Sequence, residues 1–178
     1  YGAFLLDEHE RETLKAAQVD LLRVSQYRAR LAQAGQLAAQ ENDPPAWQTA
    51  VQYYDQAAQQ YPDLWQQDGP ANEVKRKALT KKLAGHFMEN ARQTDDPAQA
   101  IQALSQSLYY QPHNPDALSM LGVPLALQRG LLALSVNDHQ RAYQEFSTAK
   151  AASANTQPDV RGRASVLFDF TQKILSLK

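Results

Sequence analysis

The chain carries four histidines, His9, His86, His113 and His139, and no two of them stand four residues apart. A His-Glu-x-x-His helix with its metal-assisted hydrolysis is therefore excluded. The absence of cysteine removes a thiolate metal site, a disulfide framework and a cysteine nucleophile. The run Asp7-Glu8-His9-Glu10-Arg11-Glu12 has ligand-type side chains, but an acidic first turn at the positive end of a helix dipole explains it better. Carboxylate pairs such as Asp95-Asp96 stand where helices start and read as caps. His86 is expected on a helix and half-buried, whereas His113 in a turn and His139 after a cap are expected to be exposed. Neither a Gly-x-Ser-x-Gly elbow nor a phosphate-binding glycine loop is present. No catalytic, cofactor-binding or metal-binding residue is predicted, and the sequence does not read as an enzyme.

Two clusters could recognise a partner. Lys75, Arg76, Lys77, Lys81 and Lys82 place five positive charges within eight residues. The plainer account of them is a solvated helix face. The functional account is an electropositive stripe, with Lys75 and Lys82 on one face, that meets an acidic peptide or protein. The second cluster is aromatic: Tyr53, Tyr54, Tyr61, Trp65, Tyr109 and Tyr110 fall near helix ends. Tyrosine suits interfaces because it joins an apolar body to a polar tip. One tyrosine of each adjacent pair should face outward, so Tyr53 and Tyr109 join Lys75, Arg76, Lys81 and Lys82 as candidate partner-binding residues.

The elements that must position these side chains are helices. Ala, Leu and Gln number 28, 22 and 22 among 178 residues, against 7 Gly. That composition favours helix and excludes an all-β domain. Short oxygen-bearing residues stand at or beside proline at Asp43-Pro44, Asp96-Pro97, Asn114-Pro115 and Thr156-Gln157-Pro158, a pairing that starts helices. Asn137-Asp138 and Gly69-Pro70-Ala71-Asn72 supply two further starts. The predicted helices are 7–41, 46–61, 72–93, 97–110, 115–136, 139–153 and 158–177, with 62–71 as the longest break and Trp65 plugging it onto the core.

Apolar stripes recur at helical spacing. The first helix carries Leu14, Ala17, Leu21, Val24, Leu31 and Ala38, with Arg28 interrupting a heptad seam, and is expected to pack against its own neighbours rather than form a coiled coil. The second uses Trp47, Val51, Tyr54, Ala58 and Tyr61, the fourth Ala100, Ile101, Leu104 and Leu108, and the last Val160, Ala164, Leu167, Phe168 and Ile174. Leucines on the fifth (Leu118, Leu121, Leu125, Leu127, Leu131, Leu132, Leu134) point in nearly every direction, which predicts a helix inside the bundle, kinked by Pro124. No run is read as a membrane-spanning helix.

A weak repeat underlies these stripes. Ala50, Tyr54, Ala57 and Pro62 are matched in spacing by Ala100, Leu104, Ser107 and Pro112, and by Ala142, Phe146 and Ala149, with Ala154 in place of proline. A small residue admits a close helix crossing, a large one fills the adjoining groove, and a second small one permits the next crossing. This pattern resembles the second helix of the tetratricopeptide repeat. The first helix of that family is echoed by Ala34, Leu37, Ala38 and Glu41, by Ala84, Phe87, Met88 and Ala91, and by Ala126, Arg129, Gly130 and Ala133. Glu41 and Arg129 depart from its apolar preference, and the matching alanines are 50 and 42 residues apart where the family repeats about every 34. The family's chaperone-binding subset clamps a terminal carboxylate with Lys and Asn, but the matching positions here hold Gly85 and Glu89, so that activity is not implied.

The resemblance implies an all-α fold: about seven helices in antiparallel hairpins, stacked as a right-handed superhelix whose first helices line a groove. The expected organisation is one domain over 1–178, with a long N-terminal helix (1–41), repeat-like hairpins (42–154) and a capping helix (155–178). The implied function is a scaffold or adaptor that holds a partner peptide or helix, with a regulatory module for a small ligand as the rival. A net charge of −1 makes nucleic acid an unexpected partner. The chain starts at Tyr1 rather than Met, so any membrane contact is expected through a segment before Tyr1. Tyr1-Gly-Ala-Phe-Leu-Leu6 reads as a frayed helix start in preference to the tail of a removed anchor.

Overall fold

The computed structural model describes residues 7–152 and 158–177, and of 158–161 the helical backbone only. The described residues are all-α: seven helices and no strand. They are α1 (Glu8–Ala38), α2 (Pro44–Gln60), α3 (Pro62–Gln93), α4 (Pro97–Tyr110), α5 (Pro115–Ser135), α6 (His139–Ala152) and α7 (Pro158–Ser176). Tyr1–Leu6, Ala154, the Thr156-Gln157 cap and the Val160 side chain lie outside the described residues.

Four of the predicted starts, at Asp43, Asp96, Asn114 and Asp138, form as oxygen-acceptor caps, and Asp7 adds one more. The Asp7 carboxylate accepts from the Glu10 N–H at 2.7 Å, and the Glu10 carboxylate accepts from the Asp7 N–H at 3.0 Å, closing a capping box. Asp43 accepts from Ala46, Asp96 from Ala98, and Asp138 from Arg141, at 3.0, 2.9 and 3.0 Å. Asn114 accepts from Asp116 at 3.1 Å. Asn42 (φ 54°) and Asn137 (φ 60°) take left-handed conformations just before two of these caps. Asparagine tolerates that region better than most residues.

One predicted break is absent. Residues 62–71 are helical, so α3 begins ten residues earlier than the punctuation implies. Pro62 stands at the first turn, where its missing N–H would have had no partner. Pro70 lies inside the helix and forfeits the bond to the Gln66 carbonyl. Gly69 before it lacks the Cβ that proline would crowd. Trp65 anchors the turn by meeting Tyr54 edge-on, with ring centroids 6.5 Å apart.

The chain divides into two compact units, Tyr1–Thr80 and Lys81–Lys178. In the first, α1 packs on α2, and Tyr27, Ala57 and Tyr61 form a buried cluster flanked by Leu31, Leu64 and Trp65. The Trp47 indole N–H donates to the Gln40 carbonyl at 2.7 Å, tying α2 to the end of the preceding helix. The expected packing of the Leu14–Leu21 stripe does not occur. Every residue from 7 to 22 is exposed, because the buried side of α1 runs through Tyr27 and Ala34.

In the second unit, α4 packs on α5, α5 on α6 and α6 on α7. Met88, Ala91, Leu104 and Ala117 make one buried cluster; Val123, Ala126, Leu127, Ala133, Ala142, Phe146, Ala149 and Ala164 make another. Helix α5 is not enclosed as its leucines suggested. Leu127 is buried, but Leu118, Leu131 and Leu132 are exposed, and the buried side joins the small Ala117, Ala126, Gly130 and Ala133 to Val123, Pro124 and Leu127. Its α-helix continues through the buried Pro124. By length and composition α5 is apolar enough to cross a membrane, against the sequence reading, and its inward face serves the two clusters.

At the α5–α6 crossing Gly130 faces the Phe146 ring. A Cβ built on Gly130 would lie 2.7 Å from Cδ1 and 2.8 Å from Cζ, with Cε1 nearer still. No other described glycine meets a neighbour so closely.

Candidate functional site

Helix α3 carries the basic cluster. Lys75 is exposed, as are Lys81 and Lys82. Arg76 is half-buried and held by carboxylates. Its Nε donates to Asp55 Oδ1 at 2.6 Å and its Nη1 reaches Glu73 Oε1 at 3.4 Å, so it ties α3 to α2. Lys77 also approaches Glu73, at 3.7 Å. Two of the five charges are thus matched by carboxylates within the first unit. A charge count along one helix cannot see Asp55 arriving from another.

The second tyrosine pair divides as predicted, and the first does so in part. Tyr54 is buried, and Tyr53 beside it is half-buried. Tyr109 is 79% exposed and meets Tyr110 edge-on at 5.1 Å, while Tyr110 stacks on Phe87 at 6.0 Å. Lys75, Arg76 and Tyr53 belong to the first unit, and Lys81, Lys82 and Tyr109 to the second.

Histidine placement follows the sequence except at one position. His86 is half-buried and within 3.0 Å of Asn90 Nδ2, and His113 is exposed. His139 is half-buried rather than exposed, and its Nδ1 is enclosed with no hydrogen-bond partner among the described residues. The first turn of α6 brings the ring inward. No group of three or more His, Asp or Glu among the described residues could hold a metal ion.

Burial treats the repeat positions alike. Ala50, Tyr54 and Ala57 are buried, as are Ala100, Leu104 and Ser107, and Ala142, Phe146 and Ala149. The Ser107 hydroxyl, fully enclosed, donates to the Ala84 carbonyl at 3.0 Å, so a polar side chain serves the small position by bonding the facing helix. The first-helix positions are less uniform. Ala84, Phe87, Met88 and Ala91 are all buried, whereas Glu41 and Arg129 are exposed, as their chemistry requires. Arg129 Nε binds Glu145 at 3.0 Å instead.

Burial raises the pKa of two phenols and so favours their neutral forms. The Tyr27 hydroxyl is pushed up by desolvation and further by the Asp68 carboxylate, with the Asn72 hydrogen bond opposing. Tyr54 is raised by burial.

Comparison with protein-family models, curated proteins and solved structures returns no match.

Proposed function

We propose that the chain is a protein–protein interaction module built from divergent tetratricopeptide-like hairpins. The carrying observation is that all nine small-large-small positions of the three-fold pattern are buried. Small residues at fixed helical spacing serve close crossings, and repeated hairpins of this kind characteristically act by presenting an extended face to a partner. Fold likeness alone does not assign a partner. The surface chemistry favours an acidic peptide, because the side chains of Lys75 in the first unit and of Lys81 and Lys82 in the second are exposed.

The test is the double variant Lys75→Glu/Lys82→Glu, assayed for capture of acidic peptides from a display library at low and high salt. Capture by the wild type should fall steeply with salt, and the variant should lose that salt-sensitive component. Its melting temperature should hardly move, because exposed charges contribute only about 0–1 kcal/mol to stability. Equal capture by both proteins at low salt would return the cluster to a solvated face.

A further inference from the structure

The outer half of α1 has the sequence of a self-complementary seam. Residues 7–22 are all exposed, with Leu14 and Leu21 at 49% and 70%. Large apolar side chains left exposed on a helix call for a cover, and Val19 and Leu22, each 58% exposed, flank this stripe. We propose that a second copy of this chain covers it, the two α1 helices pairing as a short antiparallel coiled coil.

The occupant follows from the order of residues along the seam: Glu10, Leu14, Ala17, Leu21, Val24, Arg28. Their spacings, four, three, four, three and four, read the same from either end, as a heptad seam must if a two-fold axis is to cross its centre. An antiparallel copy then places Leu14 against Val24 and Ala17 against Leu21, twice each. Glu10 of one helix meets Arg28 of the other at both ends. A parallel copy would set Glu10 against Glu10 and Arg28 against Arg28, so charge selects the antiparallel arrangement.

The local contacts leave these charges available. Arg23 is taken by Asp63 at 2.9 Å and Arg30 by Gln56 at 2.8 Å, but exposed Arg28 has no ion-pair partner among the described residues. Glu10 accepts from the Asp7 N–H through one oxygen and has a second to offer. Asp20 would approach its own copy near the axis, where Arg23, 3.6 Å away, offsets the repulsion. The arginine that breaks the apolar stripe thus becomes the group that fixes its register. This pairing is independent of the proposed peptide-binding role of α3.

Cysteine is absent from the chain, so single cysteines report the arrangement directly. Full-length Leu14→Cys and Val24→Cys variants are oxidised separately and as a mixture, and wild type and Leu21→Glu are compared by sedimentation equilibrium across the micromolar range. The expected result is a disulfide-linked dimer in the mixture only. Wild type should dimerise, and Leu21→Glu should weaken dimerisation about tenfold or more, because a carboxylate would enter an apolar seam. Leu21 is exposed in the single chain, so circular dichroism should be unchanged. Homodimers from each cysteine variant alone would overturn the antiparallel arrangement. A wild type that stays monomeric overturns the proposal outright, and flotation of that monomer with phosphatidylcholine–phosphatidylglycerol vesicles would assign the stripe to lipid.

Discussion

Gly130→Leu should destabilise the second unit by about 3 kcal/mol, because overpacking a tight crossing forces backbone and side chains apart. Even alanine places a Cβ within 2.8 Å of the Phe146 ring. That ring is fully buried, so it has no solvent-filled space into which to swing. Helix propensity works the other way, favouring alanine over glycine by about 1 kcal/mol in a helix interior. The geometry decides the sign: Gly130→Ala should also be net destabilising. Phe146→Leu in the same chain should recover part of the loss, giving a non-additive double-mutant cycle by urea denaturation. An alanine at position 130 that raises the denaturation midpoint would mean the crossing is looser than described.

Tyr27→Ala should cost about 3–5 kcal/mol, the usual penalty for deleting a large buried ring. The side chain is 1% exposed, meets Tyr61 edge-on at 5.9 Å, and its hydroxyl accepts from Asn72 Nδ2 at 3.4 Å. Tyr27→Phe keeps the ring and removes only that long hydrogen bond, so about 1 kcal/mol should be lost. The pair separates ring packing from hydroxyl chemistry. A pH series adds a third reading. The folded phenol ionises above its unfolded value, so its neutral form is kept and stability is level below about pH 10. As pH rises past that value, the unfolded chain releases its proton first and the fold weakens. Tyr27→Phe should lessen this alkaline loss, with Tyr54 supplying the remainder. Equal denaturation midpoints for Tyr27→Ala and wild type would deny the cluster its place in the core.

Most of the helical architecture was legible in the sequence because it is written locally. Asp43, Asp96, Asn114 and Asp138 each declare a start through one side-chain oxygen, and a cap acts within three residues of itself. Tertiary contacts wrote the rest. Gly69-Pro70 reads as a breaker until Trp65 is seen against Tyr54, eleven residues away in sequence. The leucines of α5 read as burial, yet hydrophobicity does not say which face a neighbour will choose. Helices α4 and α6 chose the face that carries its alanines and Gly130, which permits a closer approach. The same limit applies to the candidate site. Lysine and arginine are equivalent in a charge count, but Asp55 lies opposite Arg76 and leaves Lys75 outside. Tyr54, a repeat position, is buried, and Tyr109 is exposed, because adjacent residues on a helix cannot share one face.

The prevalence of alanine at the crossings has a thermodynamic consequence. Half of the buried apolar residues among those described are alanine, from Ala34 in α1 to Ala164 in α7. Alanine has no rotamers to lose, so ordering these positions spares the chain the side-chain entropy that a leucine-filled interior would forfeit. It also withdraws less apolar surface from water per residue. The heat-capacity increment of unfolding scales with that surface. This interior should therefore gain less stabilisation from hydration than one packed with large side chains, and hold that smaller gain over a wider span of temperature.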